Sequence, residues 1–153
     1  MSQWKDLLKE IAEIEEKYGG TLRNPATNAE ISNMVNEVHQ KFENVVLPDT
    51  YVNFLKEING LKFNGLVFYG VDERLLEQDV EEEVHGFIEM NELWYENDWQ
   101  RQYIFFGDSD TAWYCYNSKE NNYVELDKPS GTLIQYFESF DSMLYDALKT
   151  VLL

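Results

Sequence analysis

The sequence predicts an α+β fold, with an antiparallel central sheet of about four to six strands. N-terminal helices and a C-terminal helix pack on it. Three observations predict this. Apolar residues recur at helical spacing up to about residue 60. From there the period falls from 3.6 to 2 and stays there through four or five short runs. A last helical pattern closes the chain. Helices, then strands, then a helix is the segregated order of α+β proteins, and short turns between the strands fit an antiparallel meander.

Residues 3 to 18 place Trp4, Leu7, Leu8, Ile11 and Ile14 on one helical face, and Gly19–Gly20 stop the helix. After the loop "TLRNPA", Thr27 and Glu30 have the spacing of a capping box, in which each side chain accepts the other residue's backbone N–H. That second helix is expected to run to about Phe42, with Ile31, Met34, Val35, Val38 and Phe42 inward and His39 half-buried beside them. In "LPDTYVNFLKEING", Pro48 suits a first helical turn, because its missing N–H would have been unpaired there anyway. Tyr51, Phe54, Leu55 and Ile58 face inward, and Gly60 is expected at C′ in the left-handed conformation. Strands are predicted at "LVFYGV" (66 to 71), "YIFFG" (103 to 107), "AWYCYN" (112 to 117), "YVEL" (123 to 126) and "TLIQYF" (132 to 137). Ser139 is the expected N-cap of the final helix, whose inward face carries Phe140, Met143, Leu144, Ala147, Leu148 and Val151. Residues 72 to 100 read as irregular. One domain, 1–153, accounts for the whole pattern.

Composition narrows the function. Of 153 residues, 29 are acidic and 12 are Lys or Arg, a formal net charge of −17. That balance argues against direct contact with nucleic acid or an anionic membrane, since either needs a basic patch. Cys115 is the sole cysteine, so no intramolecular disulfide forms and a thiolate metal cluster is excluded. No run approaches the ~20 apolar residues of a membrane span. The start, "MSQWKDLLKEIAEIEEKYGG", lacks the apolar core of a signal peptide, so a cytoplasmic location is expected.

Catalytic apparatus is not legible. Phosphate-binding glycine loops are missing, and Cys115 lies mid-strand on the face of Trp113, where a thiol is core packing. Asp108 and Asp110 in "GDSDT" could contribute to a cation site, but a strand-to-strand turn asks for the same residues on backbone grounds. No cofactor and no metal is expected.

The charge is densest in "VDERLLEQDVEEEV". Its acids, Asp72, Glu73, Glu77, Asp79, Glu81, Glu82 and Glu83, make either a solvated connection or a negative surface for a basic partner. Next come Trp94, Tyr95 and Trp99, interleaved with Glu92, Glu96 and Asp98. Large aromatics are favoured interface anchors, though Leu93, Trp94 and Tyr103 could equally cover the sheet. These ten residues, Asp72 to Glu83 and the three aromatics, are the candidate partner-binding set.

Three stretches in order carry a family resemblance. "LPDTYVNFLKEING" followed by "LVFYG" resembles the signature of the SUKH superfamily, at Leu47, Pro48, Tyr51, Phe54, Leu55, Asn59 and Gly60. "YIFFGDSDTAWYCYN" resembles its paired central strands, with Phe106, Gly107 and Asp108 at the turn. "YFESFDSMLYDAL" resembles its closing segment. The resemblance runs from about residue 28 to 150. It implies an α+β fold and a bacterial immunity protein that neutralises a cognate toxin domain, often a nuclease. It implies no catalytic residues and transfers no contact residues. The expected partner is therefore the toxin's C-terminal domain, a basic protein. A non-enzymatic adaptor and a metal-dependent enzyme using Asp108 and Asp110 remain as alternatives, and the oligomeric state is open.

Overall fold

The computed structural model describes residues 3–43, 45–78 and 84–153. Helix α1 (Gln3–Lys17) buries Trp4, Leu8 and Ile11 and lies along the closing helix. The Trp4 indole N–H donates to Asp141 Oδ1 at 3.2 Å, fixing that contact. Helix α2 (Asn28–Lys41) begins with the expected capping box: Thr27 Oγ1 accepts the Glu30 N–H, and Glu30 Oε1 accepts the Thr27 N–H at 2.8 Å. Ile31, Met34 and Val38 are buried. His39 is exposed, not half-buried as its place beside the stripe suggested, because α2 buries a narrower face than its sequence allows.

Helix α3 (Asp49–Glu57) takes Pro48 as its N-cap, with φ −63° already set. It ends in extended Ile58, so Gly60 is not its C′ residue. Gly60 does adopt φ +85°, but one position later, where the chain passes against Gly70 with no room for a Cβ. Asn59 Oδ1 accepts the Val71 N–H at 2.7 Å and holds the two segments together.

Six strands form one antiparallel sheet in sequence order: β1 (Leu61–Phe63), β2 (Leu66–Phe68), β3 (Tyr103–Asp108), β4 (Ala112–Asn117), β5 (Asn122–Asp127) and β6 (Leu133–Phe137). Strand β1 was not anticipated. Its hairpin turn, Asn64-Gly65, has φ of 50° and 84°, the double left-handed turn that Asn-Gly favours between strands. Strand β2 is shorter than predicted. The Tyr69 N–H still donates to the Phe106 carbonyl of β3, but after it the chain leaves β3, and Gly70 hydrogen-bonds instead to His85 and Phe87. Strand β3 carries a bulge between Phe105 and Gly107, opposite Cys115 and Tyr114.

Helix α5 (Phe140–Leu152) starts at Ser139, whose side chain accepts the Ser142 N–H. It buries Phe140, Met143, Leu144, Ala147 and Leu148. Phe140 joins Tyr51, Phe54, Phe68 and Phe106 in a ring cluster with centroids 5.0 to 6.3 Å apart. Such edge-to-face packing is favourable beyond the area it buries.

The stretch read as irregular contains an eight-residue helix, α4 (Phe87–Trp94), between two 3-10 turns, Glu73–Leu75 and Asp98–Gln102. Helix α4 fills the edge of β3 that β2 vacates. Phe87 reaches Tyr51 and Phe106 from its first turn, and Trp94 reaches Phe105 and Trp113 from its last. Asn91, 1% exposed, fastens it: Nδ2 donates to the Phe87 and Phe105 carbonyls at 2.8 and 2.9 Å, and Oδ1 accepts the Phe105 N–H at 2.8 Å. The side-chain amide thus stands in for the missing strand.

Candidate functional site

The candidate acids fall into separate environments. Asp72, 4% exposed, does not present its charge outward. Oδ1 accepts the Ile88 N–H at 2.9 Å and Oδ2 the Glu89 N–H at 2.8 Å. Those are the second and third residues of α4, whose own N-cap, Gly86, has no side chain to offer. Asp72 is thus the helix cap, supplied from another part of the chain, and it fills the space beside Gly86 so closely that a Cβ there would collide. Burial pushes its carboxyl pKa up, and the two N–H bonds oppose that rise. The expectation of Asp72 as a contact acid is corrected to this capping role.

Glu73 and Glu77 are exposed. The Glu77 backbone N–H donates to Glu30 Oε2 at 2.9 Å, and its carboxylate accepts the Thr27 hydroxyl, so the α2 cap also anchors this loop. Asp79, Glu81, Glu82 and Glu83 lie outside the described residues.

Between the Glu73–Leu75 turn and α4 runs an open groove, lined by Glu73, Arg74, Glu89, Glu92, Leu93 and Glu96 above buried Asp72. Glu89, Glu92 and Leu93 share the face of α4 opposite its buried residues, and Glu96 follows in the turn just past the helix's end. Arg74 is held by a bidentate pair with Glu37 of α2, which lowers the Glu37 pKa. Lys41 reaches Glu92 at 3.4 Å. Sequence reasoning named Glu92 and Glu96 only as neighbours of the aromatics, read Leu93 as sheet cover where it is exposed in the groove, and missed Glu89. The outward stripe was readable only once residues 87 to 94 were recognised as a helix.

The three aromatics divide as well. Trp94 is half-buried: its N–H donates to the Tyr69 hydroxyl at 3.1 Å, and the Lys128 ammonium sits 5.3 Å over its ring. The half-buried Tyr95 donates its hydroxyl to the Tyr103 carbonyl, and burial pushes its pKa up. Both cover the sheet, the plainer reading for Trp94 and a correction for Tyr95. Trp99, 43% exposed, leans edge-on against Tyr103 and Trp113 and remains open to solvent.

Among the described residues the arrangement offers a negative groove and an exposed indole. Cys115 is fully buried, and burial holds its thiol pKa well above the usual range. Asp108 is engaged by the Tyr69 hydroxyl and by Lys128 at 3.4 Å. Among the described residues, no group of three or more His, Cys, Asp or Glu side chains is placed to hold a metal ion, and no helix is long and apolar enough to cross a membrane.

Comparison with known families gives one finding. The model of the SMI1 / KNR4 family (SUKH-1) matches residues 25–146, from the loop before α2 into the middle of α5. A search of curated proteins finds no match.

Proposed function

The chain belongs to the SMI1 / KNR4 family (SUKH-1), and from that premise we propose that it is an immunity protein acting in the cytoplasm. It binds a cognate toxin domain and neutralises it by covering a basic active-site surface, that of a nuclease in the sharpest form of this reading. It does so stoichiometrically, without turnover.

The observation that carries this reading is the outward row of Glu89 and Glu92 on α4 and Glu96 just past its end, lining the groove with Glu73. Four carboxylates, one of them met by Lys41, against one arginine that is itself committed to Glu37 leave a net negative concavity of the kind that attracts lysine and arginine side chains. Leu93 supplies apolar contact within the groove, and Trp99, outside its lining, is a further exposed anchor. In such an interface the rim charges set the encounter rate and the register, while the apolar anchors hold the complex.

The test is association kinetics with the toxin domain encoded beside this chain's gene. Reversing Glu89, Glu92 and Glu96 to Lys should slow association roughly tenfold or more at low ionic strength and flatten its salt dependence. Reversing Glu81, Glu82 and Glu83 tests the sequence-derived set by the same readout. A toxin domain that binds with unchanged on-rates in both triple variants would refute the placement. Saturable turnover of a substrate by the purified chain would refute the function.

A further inference from the structure

The two edges of the sheet are unlike. Strand β1 has three residues, carries exposed Lys62 at its centre, and runs into an Asn64 side chain bonded to the Val151 carbonyl. Those features, shortness and an outward charge, are how proteins keep an edge from pairing. Strand β6 has none of them. It has five residues, no charge and no proline, and it lies in an uncharged run from Pro129 to Phe137 in a chain of net charge −17. Its side chains are apolar and exposed: Leu133 at 41%, Ile134 at 49% and Tyr136 at 56%. No strand follows it in the sheet.

We propose that β6 is a self-pairing edge, and that two copies of this chain join through it as an antiparallel, two-fold dimer with one continuous sheet. Charge and register select a second copy as the occupant. Strongly acidic copies repel one another except where a surface carries no charge, and β6 is an exposed, charge-free stretch. A two-fold at Gln135 sets Ile134 opposite Tyr136 of the second copy and Leu133 opposite its Phe137, so apolar meets apolar on both sides of the axis. Glu138 then faces an uncharged Thr132. Moving the axis to Tyr136 would set Ile134 opposite Glu138, so the pattern favours one register. Gln135 keeps its amide on Glu125 and Asp146 within its own chain and need not rearrange. The register shift of β6 against β5 falls at Ile134, leaving Gln135 to Phe137 in regular pairing with β5. Helix α4 and its groove lie against β3, so dimerisation leaves the groove open, and the proposal stands independently of the toxin reading.

Sedimentation equilibrium of the intact chain at low and high salt tests this. A concentration-dependent dimer is expected, tighter at high salt because screening weakens the repulsion between copies. The opposite salt trend is expected for a basic partner in the acidic groove, so the two readings fail separately. Ile134→Lys with Tyr136→Lys opposes like charges twice and should weaken the dimer about tenfold or more. Ile134→Lys with Tyr136→Glu opposes unlike charges in the same register and should restore it. Unchanged circular dichroism keeps both variants interpretable, since every substituted side chain is exposed. A monomer at all concentrations, a dimer indifferent to the double-lysine variant, or failure of the Lys/Glu pair to recover association would each overturn the proposal.

Discussion

Asn91 offers the sharpest test of how the groove is built. Its amide satisfies both backbone groups of Phe105 that β2 leaves unpaired, and it ties them to α4 through the Phe87 carbonyl. Asn91→Ala removes all three bonds at a site 1% exposed, where water cannot replace them without opening the packing. Each orphaned buried backbone group costs about 1–3 kcal/mol, so a loss of roughly 2–5 kcal/mol is expected. That is a large part of the ~5–15 kcal/mol that holds a typical domain folded. Calorimetry should show Tm falling by about 5–15 °C, and urea titration should show the midpoint moving with it. Asn91→Asp sharpens the reasoning. It keeps an acceptor for the Phe105 N–H but turns an oxygen toward two carbonyls. Only the protonated acid can donate, and its single O–H serves one of the two, so this variant's folded pKa is raised. Its deficit should be smallest below the unfolded value, about pH 4, and grow as pH rises through the folded value. An alanine variant within about 0.5 kcal/mol of the parent, or an aspartate variant whose deficit ignores pH, would refute the account.

Asp72→Ala strips the cap from α4 and should cost about 1–3 kcal/mol in urea titration, less than two orphaned N–H groups alone, because a buried charge goes with it. Burial raises the Asp72 pKa, so its stabilising contribution is complete below the unfolded value and declines as pH rises through the folded one. The parent should accordingly gain on Asp72→Asn as pH falls toward about 4, and a pH-independent difference would contradict this. Burial pushes Tyr123 up to about 12 and also raises Tyr51, Tyr69, Tyr95 and Tyr114. The stability tied to these neutral phenols is present below their unfolded value of about 10 and is lost as pH rises through the folded values. Phenolate absorbance should therefore rise cooperatively with alkaline unfolding; smooth titration of every tyrosine near its ordinary pKa in a folded chain would count against the packing described.

The elements whose signals are local were legible in the sequence. Thr27 with Glu30, Pro48 and Ser139 each mark a helix start within a few residues, and strands β3 to β5 alternate clearly enough to be bounded within one or two. What escaped depends on distant partners. Residues 87 to 94 look irregular because their cap comes from Asp72 and because the buried face includes a polar Asn91, whose partners are strand backbone. Asp72 looked like one more surface acid for the same reason. Strand β1 was missed although its Asn-Gly turn was in plain view, since three residues are too few to show a period. Exposure misled once: His39 lies just beyond the buried stripe of α2.

Trp94 and Trp99 both lie against Trp113, with ring centroids 5.4 and 5.7 Å away. Chromophores that close share their excitation, so the trio should give a paired near-ultraviolet dichroic band that Trp4, in α1 at the far helix layer, cannot contribute. Loss of that band ahead of the far-ultraviolet signal would report α4 and the Trp99 turn lifting from the sheet while the rest stays folded. A change in indole emission on adding a toxin domain would report contact at Trp99 with no label attached.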